Sequence, residues 1–200
     1  GGISGYGTEG VDADRPAYDV AAFWARSGIA SLLTPEGSDP PFQRGGMGDH
    51  GTGLAAAAAI SAALYAREKT GEGQYVSTSL YRQGAYTIGF DMNIALLWGM
   101  TLGVGKRESM GNPAMNNYLA GDGKRFWIVG LEASRHWPPL CRVVGHSEWL
   151  EDERFSTPRG RAQNSSELIA LLDIEFKKRS LEEWKEVFVT EPDFFWAPVN

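Results

Sequence analysis

Cysteine, basic charge and long apolar runs are what this sequence has least of. Cys141 is the single cysteine in 200 residues, so no internal disulfide can form. The chain also does not open on a positive run followed by an apolar stretch, as a secretory leader would, and both features point to a reducing, cytoplasmic setting. Nineteen Lys and Arg against 25 Asp and Glu give a formal net charge of -6. The basic residues are scattered among acidic ones, which argues against a nucleic-acid partner. The most apolar stretch, Gly53 to Leu64, runs for about twelve residues, short of the ~20 that a membrane-crossing helix needs. Three histidines, His50, His136 and His146, have no metal-ligand spacing, and Cys141 adds no ligand pair, so no metal site is expected. There is no Gly-x-Ser-x-Gly elbow of the serine-hydrolase kind.

What the chain does have is 42% apolar residues and 22% charged ones, enough to bury a core in one large domain or two small ones. It opens at Gly1-Gly2 with no initiator methionine and no strand ahead of Gly5, which reads as a piece of something longer. From Asp12 to Gly48 the composition is rich in Gly, Pro and Asp. Two apolar patches, Val20 to Trp24 and Ile29 to Leu33, predict a short helix followed by a long irregular loop. Thr52 to Thr70 predicts a firm helix: alanines supply propensity, Leu54/Ala58 and Ile60/Leu64 form an apolar stripe, Arg67 and Lys69 suit the last turn, and Gly71 and Gly73 stop it. Gln74 to Leu80 alternates as a strand does. Tyr81 to Trp98 predicts a longer helix that tolerates Gly84 and Gly89.

A stretch rich in Gly, Lys, Arg and Asn from Gly99 to Asn117 marks a domain boundary. Beyond it, Phe126 to Val129 predicts a strand entered from an Asp122-Gly123 turn, and Pro139 to Val144 a helix closed by Gly145. Thr157-Pro158 opens an amphipathic helix through Leu168, Leu172 and Phe176. Ser180 and Glu183 have capping-box spacing ahead of another helix. The expected fold class is α/β: residues 1–105 as the central part of a large domain, and residues 106–200 as a small α+β domain.

Two motifs compete for a functional reading. Gly5-Tyr6-Gly7-Thr8-Glu9-Gly10 has the glycine pattern of a dinucleotide loop, but that loop needs a strand before it and a helix directly after. Arg15-Pro16 follows where helix interior would be required, so a turn-rich loop is the better reading. Gly48-Asp49-His50-Gly51-Thr52-Gly53 places a carboxylate at the mouth of the alanine-rich helix. Flanking glycines remove bulk around Asp49, so a large ligand can approach closely. Amide groups at a helix start favour the anion and can serve a developing oxyanion, as attack by a carboxylate on a thioester requires. The alternative is that Asp49 is only the helix N-cap.

The order of motifs resembles the class III coenzyme A transferase family, which includes formyl-CoA and carnitine CoA transferases and 2-methylacyl-CoA racemases. The residues that carry the resemblance are Ser4-Gly5-Tyr6-Gly7, Arg15-Pro16-Ala17-Tyr18-Asp19, Pro40-Pro41, Gly48 to Gly53, Arg67 to Val76, Glu151 to Phe155, and the closing Ala197-Pro198-Val199-Asn200. The resemblance implies a Rossmann-like CoA-binding domain, and CoA transfer from an acyl-CoA to a small carboxylic acid through a covalent intermediate on Asp49. CoA thioesters would be substrates, with no tightly bound cofactor. It further implies that Arg15 and Tyr18 line the CoA site beside Gly48 and Gly51, that Asp19 stands near the reacting carbonyl, and that the whole protein forms an interlocked homodimer. Racemases of the family use a histidine where this chain has Tyr18. A phenol, with a reference pKa of about 10, is a poor general base at neutral pH, which favours transfer over racemisation; the alternatives to transfer are a racemase-like isomerase and a non-catalytic fragment or binding module of the same fold. The glycine run of some transferases is here Glu108-Ser109-Met110-Gly111-Asn112-Pro113, and the chain is about half the family's length.

Overall fold

A computed structural model of the chain describes residues 1–199; Asn200, the last residue of the closing motif, lies outside the described residues. The chain is a mixed α/β protein divided into two compact units, Gly1–Val104 and Gly105–Asn200.

In the first unit, strand β1 (Gly2–Ser4) lies parallel to β2 (Ser77–Ser79), with Gly2 opposite Ser77 and Ser4 opposite Ser79. A strand therefore does precede Gly5, contrary to the sequence reading. It escapes notice because three residues are too few to show alternation, and the pairing comes from a partner more than 70 positions away. No helix follows directly: turns and bends run on to Arg15 and irregular chain to Tyr18, so the dinucleotide-loop pattern lacks the helix it requires.

Val20–Arg26 forms a wide, π-type helix and Ile29–Leu32 a single α turn (α1), where a single helix was expected across both patches. Gly28, at φ 102°, separates them. Ala22, Phe23, Trp24, Ile29, Ala30 and Leu80 make this unit's small core. The Trp24 indole N–H donates to Pro41 O at 3.1 Å and ties the irregular 33–46 segment to the π-type helix.

Helix α2 runs Met47–Thr70, starting five residues before the expected Thr52. Glycines at 48, 51 and 53 hide this start, since each costs a helix about 1 kcal/mol relative to alanine. Leu54, Ile60 and Leu64, the expected core stripe, are all exposed. The predicted Tyr81 to Trp98 helix is two helices, α3 (Leu80–Thr87) and α4 (Gly89–Trp98), broken at Ile88. Gly84 lets α3 lie directly on the π-type helix, because a Cβ there would stand 2.7 Å from Phe23 O.

The second unit is a three-stranded antiparallel sheet in the order β3-β4-β5, with β3 Met115–Leu119, β4 Arg125–Val129 and β5 Trp196–Pro198. Tyr118, Phe126 and Ile128 point from one sheet face into a core closed by helices α5 (Trp137–Val144), α6 (Pro158–Gln163), α7 (Ser165–Phe176) and α8 (Leu181–Phe188). Phe126 meets Phe176 edge-on at 5.0 Å between ring centroids. Thr157 caps α6 through the Gly160 N–H, and both halves of the Ser180/Glu183 capping box are formed. The 107–113 segment binds back onto its own unit. Arg107 Nε donates to Asn117 O at 2.7 Å and its guanidinium pairs with Asp173, while the Asn112 amide donates to Gly130 O at 2.8 Å.

Candidate active site

Asp49 is the third residue of α2, whose N-cap is Gly46 in a left-handed conformation (φ 80°) with no capping side chain. The N-cap alternative for Asp49 therefore fails. The carboxylate nonetheless lies in the first turn, at the positive end of the helix, and Asp49 is solvent-exposed.

Helix geometry fixes which way it faces. At about 100° per residue, Ala56 and Ile60, seven and eleven positions on, share its face. Those two residues line a small cavity with Gly1–Ile3 and Val76–Thr78, so the Asp49 face of α2 is the one turned to the β1–β2 pair. The N-terminal end of α2 lies by α3, which begins where β2 ends; Gly51 sits beside the Gln83 amide, 3.0 Å from where a Cβ would be. Asp49 thus stands beyond the carboxyl ends of the two parallel strands, where open α/β sheets place their ligands. A largely apolar groove of 440 Å³, lined by Gly51, Leu54, Ala55 and Ala58 of α2 with Gln83 and Tyr86 of α3, opens on another face, roughly 200° around the helix from Asp49.

Asp19 is buried, and its carboxylate accepts the Gly48 N–H at 3.1 Å (Oδ1) and 3.2 Å (Oδ2). A Cβ on Gly48 would overlap both Asp19 Oδ1 and the Phe23 ring. The room that Gly48 leaves is filled from within the protein by Asp19 and Phe23, and that beside Gly51 by Gln83, in place of the ligand access the sequence suggested. Only at Gly53 does the space stay open. Tyr18 points the other way and is 85% exposed. The structure therefore brings Asp19 onto Gly48, the residue before Asp49, and leaves Tyr18 in solvent.

Arg15 belongs to a second cluster. It pairs with Asp12 at 2.9 Å and lies over the Tyr6 ring at 5.6 Å, and Asp12 also holds Arg26 at 3.0 Å. Hydrogen bonding by Arg15 lowers the Asp12 pKa, and the same bond raises that of Arg15. Tyr6 and Tyr81, 6.4 Å apart, flank a polar cleft of 460 Å³ that also takes in Ser77, Ser79 and Arg82 at the strand ends. Sequence reasoning missed Tyr81, Arg26 and Arg82, because no spacing rule links residue 6 to residue 81. The hydrogen bond from Tyr81 N–H to Gly5 O, at 2.9 Å, is what joins them.

A mixed α/β unit with a helix start beyond parallel strand ends has the arrangement in which open α/β proteins bind ligands, and comparison with known proteins narrows the class. The chain belongs to CoA-transferase family III, whose model matches residues 1–200. It is similar to the (R)-2-hydroxy-4-methylpentanoate CoA-transferase of Clostridioides difficile, 29% identical over 91% of this chain and 45% of that protein. An acyl-CoA transferase of Fusarium pseudograminearum is 33% identical over 100% of this chain and 43% of its own length. The human succinyl-CoA:glutarate CoA-transferase is 28% identical over 93% and 42%. The chain spans about half the length of the curated relatives it matches. Among solved structures, Rv3272 from M. tuberculosis in its orthorhombic form superposes with a TM-score of 0.83 at 22% identity, over 99% of this chain and 51% of that one. A CAIB/BAIF family protein from Brucella suis gives 0.77 at 26%, again over 99% and 51%.

Proposed function

We propose that the protein carrying this chain transfers CoA from an acyl-CoA donor to a small carboxylic acid, with Asp49 as the covalent nucleophile. The observation that carries the reading is the placement of Asp49: an exposed carboxylate in the first turn of α2, beyond the carboxyl ends of β1 and β2. Relatives named as CoA-transferases for hydroxy acids and dicarboxylic acids support the substrate class.

The Asp49 carboxylate attacks the thioester carbonyl carbon, the C–S bond breaks, and CoA leaves as the thiolate, giving a mixed anhydride. The thiolate then attacks the Asp49 carbonyl and expels the donor acid, leaving an aspartyl-CoA thioester. The incoming carboxylate attacks that thioester and the thiolate is released again. Finally the thiolate attacks the acyl carbon of the second anhydride, which yields the new acyl-CoA and restores Asp49. Atoms and charge balance without a tightly bound cofactor. One hard exchange becomes a series of acyl transfers, and first-turn amides of α2 other than that of Gly48, which Asp19 holds, are suited to the oxyanions. The exposed Arg15 and Tyr18 are assigned to the CoA side of the site, in a Rossmann-like setting.

Replacing Asp49 by Ala is expected to lower the transfer rate by about 10⁴-fold or more; a variant that kept full activity would end the proposal. Proton exchange at the acyl α-carbon in deuterated water would instead mark a racemase. Dimerisation of the whole protein, interlocked as in the family, is part of the same proposal. It is supported by exposed Leu54 and Leu64 on α2 and by Phe90, Leu96, Leu97 and Trp98 on α4. Sedimentation should give twice the monomer mass.

A further inference from the structure

We infer that Asp19 is a positioning residue: it ties down the first turn of α2 from 29 residues away and so fixes the Asp49 carboxylate, which rests on the reading of Asp49 as nucleophile. The turn needs such a tie. Its N-cap is Gly46, which offers no side-chain acceptor, and Gly48, Gly51 and Gly53 weaken the helix where it starts. A helix start of this composition would fray, and Asp49 lies in its middle. Asp19 supplies the missing acceptor by taking the Gly48 N–H with both carboxylate oxygens, at 3.1 and 3.2 Å. Phe23, on the π-type helix that Asp19 opens, packs where a Gly48 side chain would be. Asp19 is buried, at 8% exposure, whereas the neighbouring Tyr18 is turned outward. Asp19 therefore acts on the reaction through the helix that bears Asp49, and Gly48 is the only residue small enough to let it do so.

The test compares Asp19→Asn and Asp19→Ala with the parent protein, using single-turnover acylation of Asp49, acyl-CoA titration, and exchange of the Gly48 amide followed by NMR. The asparagine keeps an oxygen that accepts the Gly48 N–H. It should hold Gly48 protected and acylate near the parent rate. The alanine should unprotect Gly48 and slow acylation roughly 10- to 100-fold, with acyl-CoA affinity within about threefold. Equal loss in both variants would mean that the charge itself serves the substrate and would overturn the inference. An alanine variant that acylates at the parent rate, or that loses acyl-CoA affinity in step with rate, would do the same. If the alanine variant does not fold, the asparagine variant and the Gly48 exchange decide. If the parent forms no adduct on Asp49, the functional reading fails while the exchange data still test the tie.

Discussion

Gly48 and His146 show how single residues set the behaviour of the two units. At Gly48 a methyl group has nowhere to go, since it meets the Asp19 carboxylate and the Phe23 ring together. Gly48→Ala should therefore destabilise the first unit by about 1–3 kcal/mol, as overpacking does, and thermal unfolding should show it. His146 stacks on Trp149 at 4.4 Å with both ring nitrogens facing carboxylates: Nδ1 to Glu148 at 2.6 Å and Nε2 to Glu175 at 3.2 Å. Carboxylates only accept, so both nitrogens donate at once only in the imidazolium form. Lys178 also binds Glu175 from the same side. Burial works to lower the His146 pKa, but the two carboxylates outweigh it and the net shift is upward. The Glu148 and Glu175 pKa values are lowered, by the hydrogen bond from His146 in Glu148 and, against burial, by Lys178 and His146 in Glu175. A raised imidazole stabilises fully below its ordinary 6.5 and loses this as pH rises through the folded value; lowered carboxylates stabilise above 4.5 and lose this as pH falls. The advantage of the parent over His146→Gln in urea midpoint should thus be greatest between pH 4.5 and 6.5 and should shrink on the alkaline side.

Elements with a local cause are the ones the sequence discloses. The Ser180/Glu183 box forms in both directions, with the Ser180 N–H donating to Glu183 Oε2 at 2.8 Å. Ser180→Ala should accordingly cost about 0.5–2 kcal/mol of second-unit stability, measured in urea. The Thr157 cap and the Gly145 stop are legible for the same reason, as each rests on residues within one turn. Strands β1 and β5, of three residues each, draw their hydrogen bonds from distant partners and leave no pattern of their own. Strand β3 is hidden by Asn116 and Asn117, polar residues that its inward and outward faces hold for different reasons: the Asn116 amide donates to Arg107 O at 3.0 Å, while Asn117 Oδ1 accepts from Arg125 Nη1 at 2.9 Å. At the site, Asp49 could be singled out as the candidate because glycines and a helix start surround it and the family's motifs flank it in order. The tie from Asp19 was not, because a hydrogen bond across 29 residues has no sequence signature.

The whole molecule combines a well-filled second unit with a first unit of small core, in which α4 buries none of its residues. Helix α2 forms through the propensity of its alanines and its 24-residue length, so it holds its shape while Leu54 and Leu64 stay exposed. The proposed function rests on one carboxylate, Asp49, and the sequence makes it easy to isolate. Tryptic cleavage after Arg44 and Arg67 gives the peptide Gly45–Arg67, in which Asp49 is the only acidic side chain. The protein should be incubated with acyl-CoA, quenched with hydroxylamine and digested. A hydroxamate is expected on Gly45–Arg67 that requires acyl-CoA and is absent from Asp49→Ala. Active protein in which that peptide stays unmodified, or carries the label equally in the alanine variant, would contradict the proposed function.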